Sequence, residues 1–308
     1  MTKVFIDGSA GTTGLRIRER LAGRKDLELI TLPEELRKDP SARADALNTA
    51  KVSFLCLPDD AAREAVSLVS SPDAVIIDTS TAHRTAEGWT YGFPELKGQR
   101  EKIASSRRIA NPGCHASGFV SLVAPLVQAG LLSPSARLSC FSLTGYSGGG
   151  KKMIAAYEAD GRPALLDAPR QYGLGQTHKH LPEMAAVCGL EHAPVFCPVV
   201  APYYAGMEVT VPLTPAETSA APEEIRGIYR ACYGSGLVRF AESPDEEGFL
   251  SAGAFCGRDD MEISVYGTPE RILLVSRFDN LGKGASGAAI QNMNIVLGVD
   301  EALGLIRG

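Results

Sequence analysis

The 308-residue chain carries 36 acidic against 31 basic residues, a formal charge of −5, and is 44% hydrophobic. Such a chain can bury a sizeable core, in two domains at this length, and the lack of any block of like charge excludes a nucleic-acid or membrane surface as its reading. Seven cysteines, at positions 56, 114, 140, 188, 197, 232 and 256, show neither CxxC pairing nor an even, closely spaced framework, so they read as reduced thiols of a cytoplasmic protein. The N-terminus enters a strand-like run almost at once and carries Asp7, unlike a signal peptide, and no apolar run is long enough to span a bilayer.

The first third alternates strand and helix. Val4-Phe5-Ile6 is a short apolar run, followed by a glycine-rich turn with Gly8, Gly11, Thr12, Thr13 and Gly14 and then a helical stretch over residues 15–21. Residues 27–32, 52–57 and 74–77 read as further strands, with a helix over 61–69 between the last two. Strands spaced by helices predict a doubly wound parallel sheet of the Rossmann type. Glycines at 8, 11 and 14, directly after the first strand, then suit a tight turn, close approach of backbone to a pyrophosphate and close helix packing. The second strand ends Thr31-Leu32-Pro33 where an NAD site would usually place an acid. Glu34 and Glu35 come next, and beyond them Arg37 and Lys38 suit a 2′-phosphate and equally suit a solvated face.

Asn111-Pro112-Gly113-Cys114 opens the next helix, because Phe119, Leu122, Val123, Leu126 and Val127 recur at helical spacing after it. A cysteine in that first turn lies in the positive end of the helix dipole, which favours the nucleophilic thiolate. An arbitrary free cysteine is more often packing, so the remaining residues decide.

From about residue 137 the chain becomes β-rich, with strands expected over 138–143, 194–200, 207–212, 250–256, 261–266 and 272–278. This predicts an α+β catalytic and dimerisation domain, closed by a helix over 284–297 that returns to the first domain. The domains are accordingly expected at 1–113, 114–283 and 284–308. Within the second, Pro182 suits the first turn of a helix, which puts His180 just before its start as a proton acceptor for a thiol, with Glu183 placed to cap or orient it. His178 competes with His180 for that place. His115 ranks below, since a helical neighbour of Cys114 points about 100° away. A His-x-His metal site lacks a third ligand with sensible spacing, so no metal is expected. Two clusters suit anions: Ser147, Gly148 and Lys151 in a glycine-rich loop after a strand, and Arg84 after the fourth strand.

A dinucleotide site, an activated thiol, a histidine base and anion contacts together define a reduction in which the thiolate attacks an acyl phosphate, phosphate leaves and hydride reduces the thioester. The motifs as a set (residues 8–14, Asn111 to Cys114, Gly92-Phe93-Pro94-Glu95-Leu96, His180 to Met184, Asn280 to Gly287 and Gln291 to Asn294) resemble the N-acetyl-γ-glutamyl-phosphate reductase family in its shorter form over nearly the whole chain. The resemblance implies NADPH-dependent reduction of N-acetyl-L-glutamyl 5-phosphate to N-acetyl-L-glutamate 5-semialdehyde in arginine biosynthesis. It makes Cys114 the nucleophile and His180 the acid/base with Glu183 beside it. Asn111, Ser147, Gly148, Lys151 and Arg84 become substrate contacts, and Gly282, Lys283 and Gln291 or Asn292 lie near the nicotinamide. Its partners are the small acyl phosphate and inorganic phosphate, in a homodimer or homotetramer. Where longer members commonly carry an aromatic residue after the cysteine, this chain has His115. Aspartate-semialdehyde dehydrogenase shares the Asn-Leu-x-Lys-Gly-Ala segment and is the nearest alternative, followed by an aminoadipyl-phosphate reductase; a non-enzymatic NADP-binding regulator would have little reason to keep Cys114 and His180 together.

Overall fold

Apolar runs flanked by turn residues take shape as β1 (Thr2–Asp7), α1 (Thr12–Leu21), β2 (Leu27–Ile30), α2 (Pro40–Thr49), β3 (Val52–Leu55), α3 (Asp59–Ser67), β4 (Val75–Asp78), β5 (Thr90–Tyr91), α4 (Gln99–Ser105) and β6 (Arg108–Ala110) in a computed structural model that describes residues Met1–Gly308. All six strands are parallel, in the order β2-β1-β3-β4-β6-β5. Side chains alternate across this sheet. Val4, Ile6, Val52, Phe54, Val75 and Ile77 join α1 residues Ile17 and Leu21 on one face. Phe5, Leu55 and Ile76 pack with Leu47 of α2 and Ala62 and Ala65 of α3 on the other. With both faces covered, β3 and β4 are buried throughout, which is why they are largely apolar, with Ser53 and Asp78 as their polar members. Helix α2 instead shows little amphipathic pattern; Asp39 caps it by accepting the Ala42 N–H at 2.7 Å and Pro40 presets its first turn.

The next elements are α5 (Cys114–Gln128), β7 (Ser139–Gly145), α6 (Gly150–Glu158), β8 (Arg170–Gln171), α7 (Leu181–Cys188), β9 (Val195–Ala201), β10 (Met207–Leu213), α8 (Pro222–Cys232), β11 (Val238–Phe240), β12 (Met261–Thr268) and β13 (Arg271–Phe278). They build a seven-stranded mixed sheet ordered β11-β12-β13-β10-β7-β9-β8. Helix α5 is buried from His115 to Leu126, and a side chain at Gly118 would collide with Val209 of β10. Pro125 inside α5 leaves the Ser121 carbonyl without its helical donor; the Tyr233 hydroxyl supplies one at 2.7 Å, and Tyr229 of α8 donates to Leu122 O at 2.5 Å.

One expected strand is absent: residues 250–256 form turns, with Ala254 N–H on Ser251 O and Cys256 N–H on Gly253 O. Gly248 at φ +86° and Gly257 at φ +82° bracket the segment in conformations that no strand continues through. The last helix, α9 (Gly287–Leu297), starts three residues later than the apolar spacing predicts, after a π-turn over Gly282–Ser286. Its Ile290, Met293 and Ile295 join the Val4–Phe54 side of the first core. Two compact units result: Met1–Pro94, Gly98–Pro112 and Ala285–Leu305 form one, and Glu95–Lys97, Gly113–Gly284 and Ile306–Gly308 the other. No helix is long and apolar enough to cross a membrane.

Candidate active site

In the first unit, β1 runs into the glycine turn and the turn into α1. Gly8 sits at φ +84°, and a Cβ there would stand 2.3 Å from Cys56 O; one at Gly14 would stand 2.5 Å from Gly8 O. These two positions must therefore be glycine for the chain to fold back on itself. Gly11 meets only ordinary contacts; it is the N-cap of α1, with no side-chain cap and no acid in the first turn, so the N–H groups there suit a ligand's phosphate. Beside this turn lies an open cleft of about 820 Å³, counting the solvent at its mouth, lined among others by Gly8, Ser9, Thr31, Arg18, Arg37 and Lys38. Asp7, the nearest acid, is not available to a ribose: it is buried and paired with Arg43 at 3.0–3.1 Å, and burial raises its carboxyl above the ordinary value despite that partner. The cleft thus gathers three cations, Arg18, Arg37 and Lys38, beside the glycine turn.

In the second unit the half-buried Cys114 is the first residue of α5, after Gly113 as an N-cap without a side-chain cap. His180 is the N-cap of α7, 5% exposed, and Glu183 lies one turn further on. Glu183 Oε1 accepts the Gly113 N–H at 2.8 Å. That bond joins the starts of α5 and α7, so the turn that carries the thiol and the turn that carries the imidazole are held as one piece. His115 fills the space behind them. Its Nδ1 is hydrogen-bonded to Ser142 Oγ at 2.7 Å and its Nε2 to the Tyr172 hydroxyl at 2.6 Å. Burial, and then the neighbouring His178, push its pKa down to about 3, so it is a neutral strut. The His178 and His180 rings stand 4.8 Å apart, each 5.6 Å from His115, and His178 Nδ1 accepts the His180 N–H at 3.2 Å. Burial and the charge of Cys114 push the Tyr172 phenol up, which keeps it protonated.

Several of the expected ligand contacts are buried and hydrogen-bonded to other protein groups. Lys283 is fully buried with Nζ 2.7 Å from Glu95 Oε1, a pair that costs about 3–5 kcal/mol to break from one side. Asn292 is equally buried and donates to Gly92 O at 2.9 Å. Asn111 is 1% exposed, and its side-chain amide donates to Ala285 O at 3.0 Å. Ser147 is 1% exposed and accepts from Asn280 Nδ2 at 3.0 Å. A Cβ at Gly282 would lie 1.9 Å from Arg258 O, so packing fixes that residue. Gln291 donates to Glu301 at 3.0 Å. Gly148, in the turn before α6, and Lys151, in the first turn of α6, remain exposed. Arg84 is held by its own neighbours, Nε on Asn111 O and Nη2 on Thr79 O, each at 3.1 Å. The composition of the sequence carries no hint of the His115–Tyr172 bond, beyond the histidine that directly follows the cysteine. No group of three or more His, Cys, Asp or Glu side chains is arranged to hold a metal ion.

Residues 3–106 match the family described as semialdehyde dehydrogenase, NAD binding domain, and residues 114–280 the semialdehyde dehydrogenase dimerisation domain. The chain is 46% identical over 318 residues to N-acetyl-gamma-glutamyl-phosphate reductase 2 of a Nostoc species, covering 98% of this chain and 99% of that one. It is 47% identical over 306 residues to N-acetyl-gamma-glutamyl-phosphate reductase of Sinorhizobium medicae, covering 96% and 98%. Among solved structures, aspartate semialdehyde dehydrogenase II of Vibrio cholerae, complexed with ASA, superposes with a TM-score of 0.71 at 15% identity over 96% of this chain and 98% of that one. Aspartate semialdehyde dehydrogenase of Candida albicans, with NADP, gives 0.67 at 16% identity over the same shares. At such identity these structures speak for the fold.

Proposed function

Because the chain belongs to the N-acetyl-γ-glutamyl-phosphate reductase family, we propose that it reduces N-acetyl-L-glutamyl 5-phosphate to N-acetyl-L-glutamate 5-semialdehyde with NADPH, releasing inorganic phosphate in the cytoplasm. The observation that carries the chemistry is the Glu183–Gly113 bond, which holds a helix-start cysteine beside a helix-start histidine.

Cys114 acts as its thiolate, which the end of α5 stabilises by up to about 2 kcal/mol. His180 takes the thiol proton. The sulfur adds to the acyl carbon, the bond from that carbon to the phosphate oxygen breaks, and a thioester on Cys114 remains as phosphate departs. Bound NADPH supplies the hydride that reduces this thioester. The oxyanion left on that carbon collapses to the aldehyde as the carbon–sulfur bond breaks, and the thiolate is restored with His180 still protonated, the imidazolium having steadied the oxyanion by hydrogen bonding without giving up its proton. Glu183 positions both turns. Arg84 and Lys151 carry the charge suited to the substrate's carboxylate and phosphate. Residues 11–13 take the pyrophosphate at the start of α1, and Arg37 and Lys38 take the 2′-phosphate.

The chain works as a homodimer. Phe141, Val195 and Leu273, 43–58% exposed, share one face of the second sheet with Cys197, Thr210 and Pro212, as the strand register dictates, and a second copy would cover it.

The test is phosphate-dependent reduction of NADP with N-acetylglutamate 5-semialdehyde, beside aspartate 4-semialdehyde, for the wild type and Cys114→Ser. Turnover of the acetylated substrate that falls about 10³-fold or more in the variant is expected. Preference for the aspartyl compound would reassign the substrate, and turnover that survives in Cys114→Ser would remove the thioester route.

A further inference from the structure

The chain's most heavily anchored turn has no role in the scheme above. Asp279 is fully buried; its carboxylate accepts Gly257 N–H at 2.6 Å and Leu281 N–H at 2.7 Å, and its carbonyl accepts both Gly282 N–H and Gly284 N–H, at 3.1 and 3.0 Å. The second of these spans five residues, the bond of a π-turn, a distortion that recurs at functional sites. Asn280 is 2% exposed, bonded through Nδ2 to Ser147 and through Oδ1 to Gly206 N–H. Lys283 reaches the buried Glu95. Four polar side chains or backbone junctions thus fix a segment six residues long, and the atom it brings to the nucleophile is the Cα of a glycine. A Cβ at Gly284 would stand 3.0 Å from Cys114 Cβ, 3.1 Å from Asp279 O and 3.2 Å from the Phe278 ring.

We infer that Gly284 is a positioning residue for the nucleophile: the Asp279–Gly284 turn is a backstop against Cys114 Cβ, and the missing side chain at 284 leaves the space in which the thiol settles at the start of α5. The reasoning is steric. Two of the three groups that a Cβ at Gly284 would meet, Asp279 O and the Phe278 ring, are held by buried hydrogen bonds or by the core, so an added methyl displaces the softest neighbour, which is the first residue of a helix. Moving the sulfur off the helix axis weakens the field that favours its thiolate and misaligns it for attack. This inference rests on Cys114 being the nucleophile.

Gly284→Ala in the full chain tests it, read by kcat and KM, by the pH midpoint of Cys114 alkylation with iodoacetamide, and by thermal unfolding. The expected result is a fall in kcat of about tenfold or more with KM changed less than about threefold, and an alkylation midpoint shifted upward. A kcat within about twofold of wild type and an unmoved midpoint would overturn the inference. If wild-type Cys114 alkylates no more readily than the exposed Cys232 and Cys256, the nucleophile reading itself fails and takes this one with it. Should Gly284→Ala fold poorly, Cys114→Gly in that background decides: the pair is expected to be non-additive, Cys114→Gly costing less stability there than in the wild type, and simple additivity would show that the two residues do not press on each other.

Discussion

The same local device occurs twice in this chain and serves two ends. At Gly11–Thr12 and again at Gly113–Cys114 a glycine N-cap in extended conformation, without a side-chain cap, opens a helix and leaves its first N–H groups unspent by the side chain that usually takes them. The first start borders an open cleft with cations around it. The second is enclosed by Glu183, by a neutral histidine and by a rigid turn. A helix terminus supplies the same positive field in both places. What surrounds it decides whether that field faces solvent or the protein's own sulfur.

Breaking the enclosed start should have the larger effect. His180→Gln keeps the size and a polar group at the N-cap of α7 but removes the proton carrier, so kcat is expected to fall by about 10²–10⁴ while the unfolding midpoint stays close to wild type. A fall below about tenfold would show that another group moves the proton. Breaking the open start should affect binding alone. With Arg37 and Lys38 both changed to Ala, KM for NADPH is expected to rise about 10–100-fold, a loss of one or two charge-assisted hydrogen bonds, with the slower reaction of NADH unchanged. Equal losses with both cofactors would show that these side chains do not read the 2′-phosphate.

A smaller effect sharpens the contrast. His115 has an ordinary pKa near 6.5 when unfolded and one of about 3 in the folded chain. Between those values the unfolded state binds the extra proton, so acidification draws the protein toward unfolding by at most about 1.4 kcal/mol per pH unit, while above pH ~6.5 the residue adds no pH dependence. His115→Gln should flatten that acid limb in denaturant titrations at pH 4.5 and 7.5. An unchanged slope would mean that other groups carry it.

The open start was legible in the sequence because its signals are local: an apolar run, then glycines at 8, 11 and 14, then a helix. The cysteine at the head of α5 was legible for the same reason. The enclosure was not. Lys283 and Glu95 are 188 positions apart, and a buried pair at that distance has no periodicity to betray it. Asn111, Ser147 and Asn292 stood out through the family motifs, but nothing local in the sequence shows that their side chains bond backbone carbonyls and a neighbouring amide. Residues 250–256 misled through composition: Leu250, Ala252, Ala254 and Phe255 suggest a strand, but the flanking glycines at positive φ turn the chain first.

The bond from Glu183 to Gly113 closes a loop of 70 residues. Until it forms, the start of α5 lacks this tie to the start of α7. A chain still being synthesised has no α7 to bring to α5, so the two helix starts can meet only after Glu183 has been added. Pairing of the two helix starts is therefore a late product of tertiary folding.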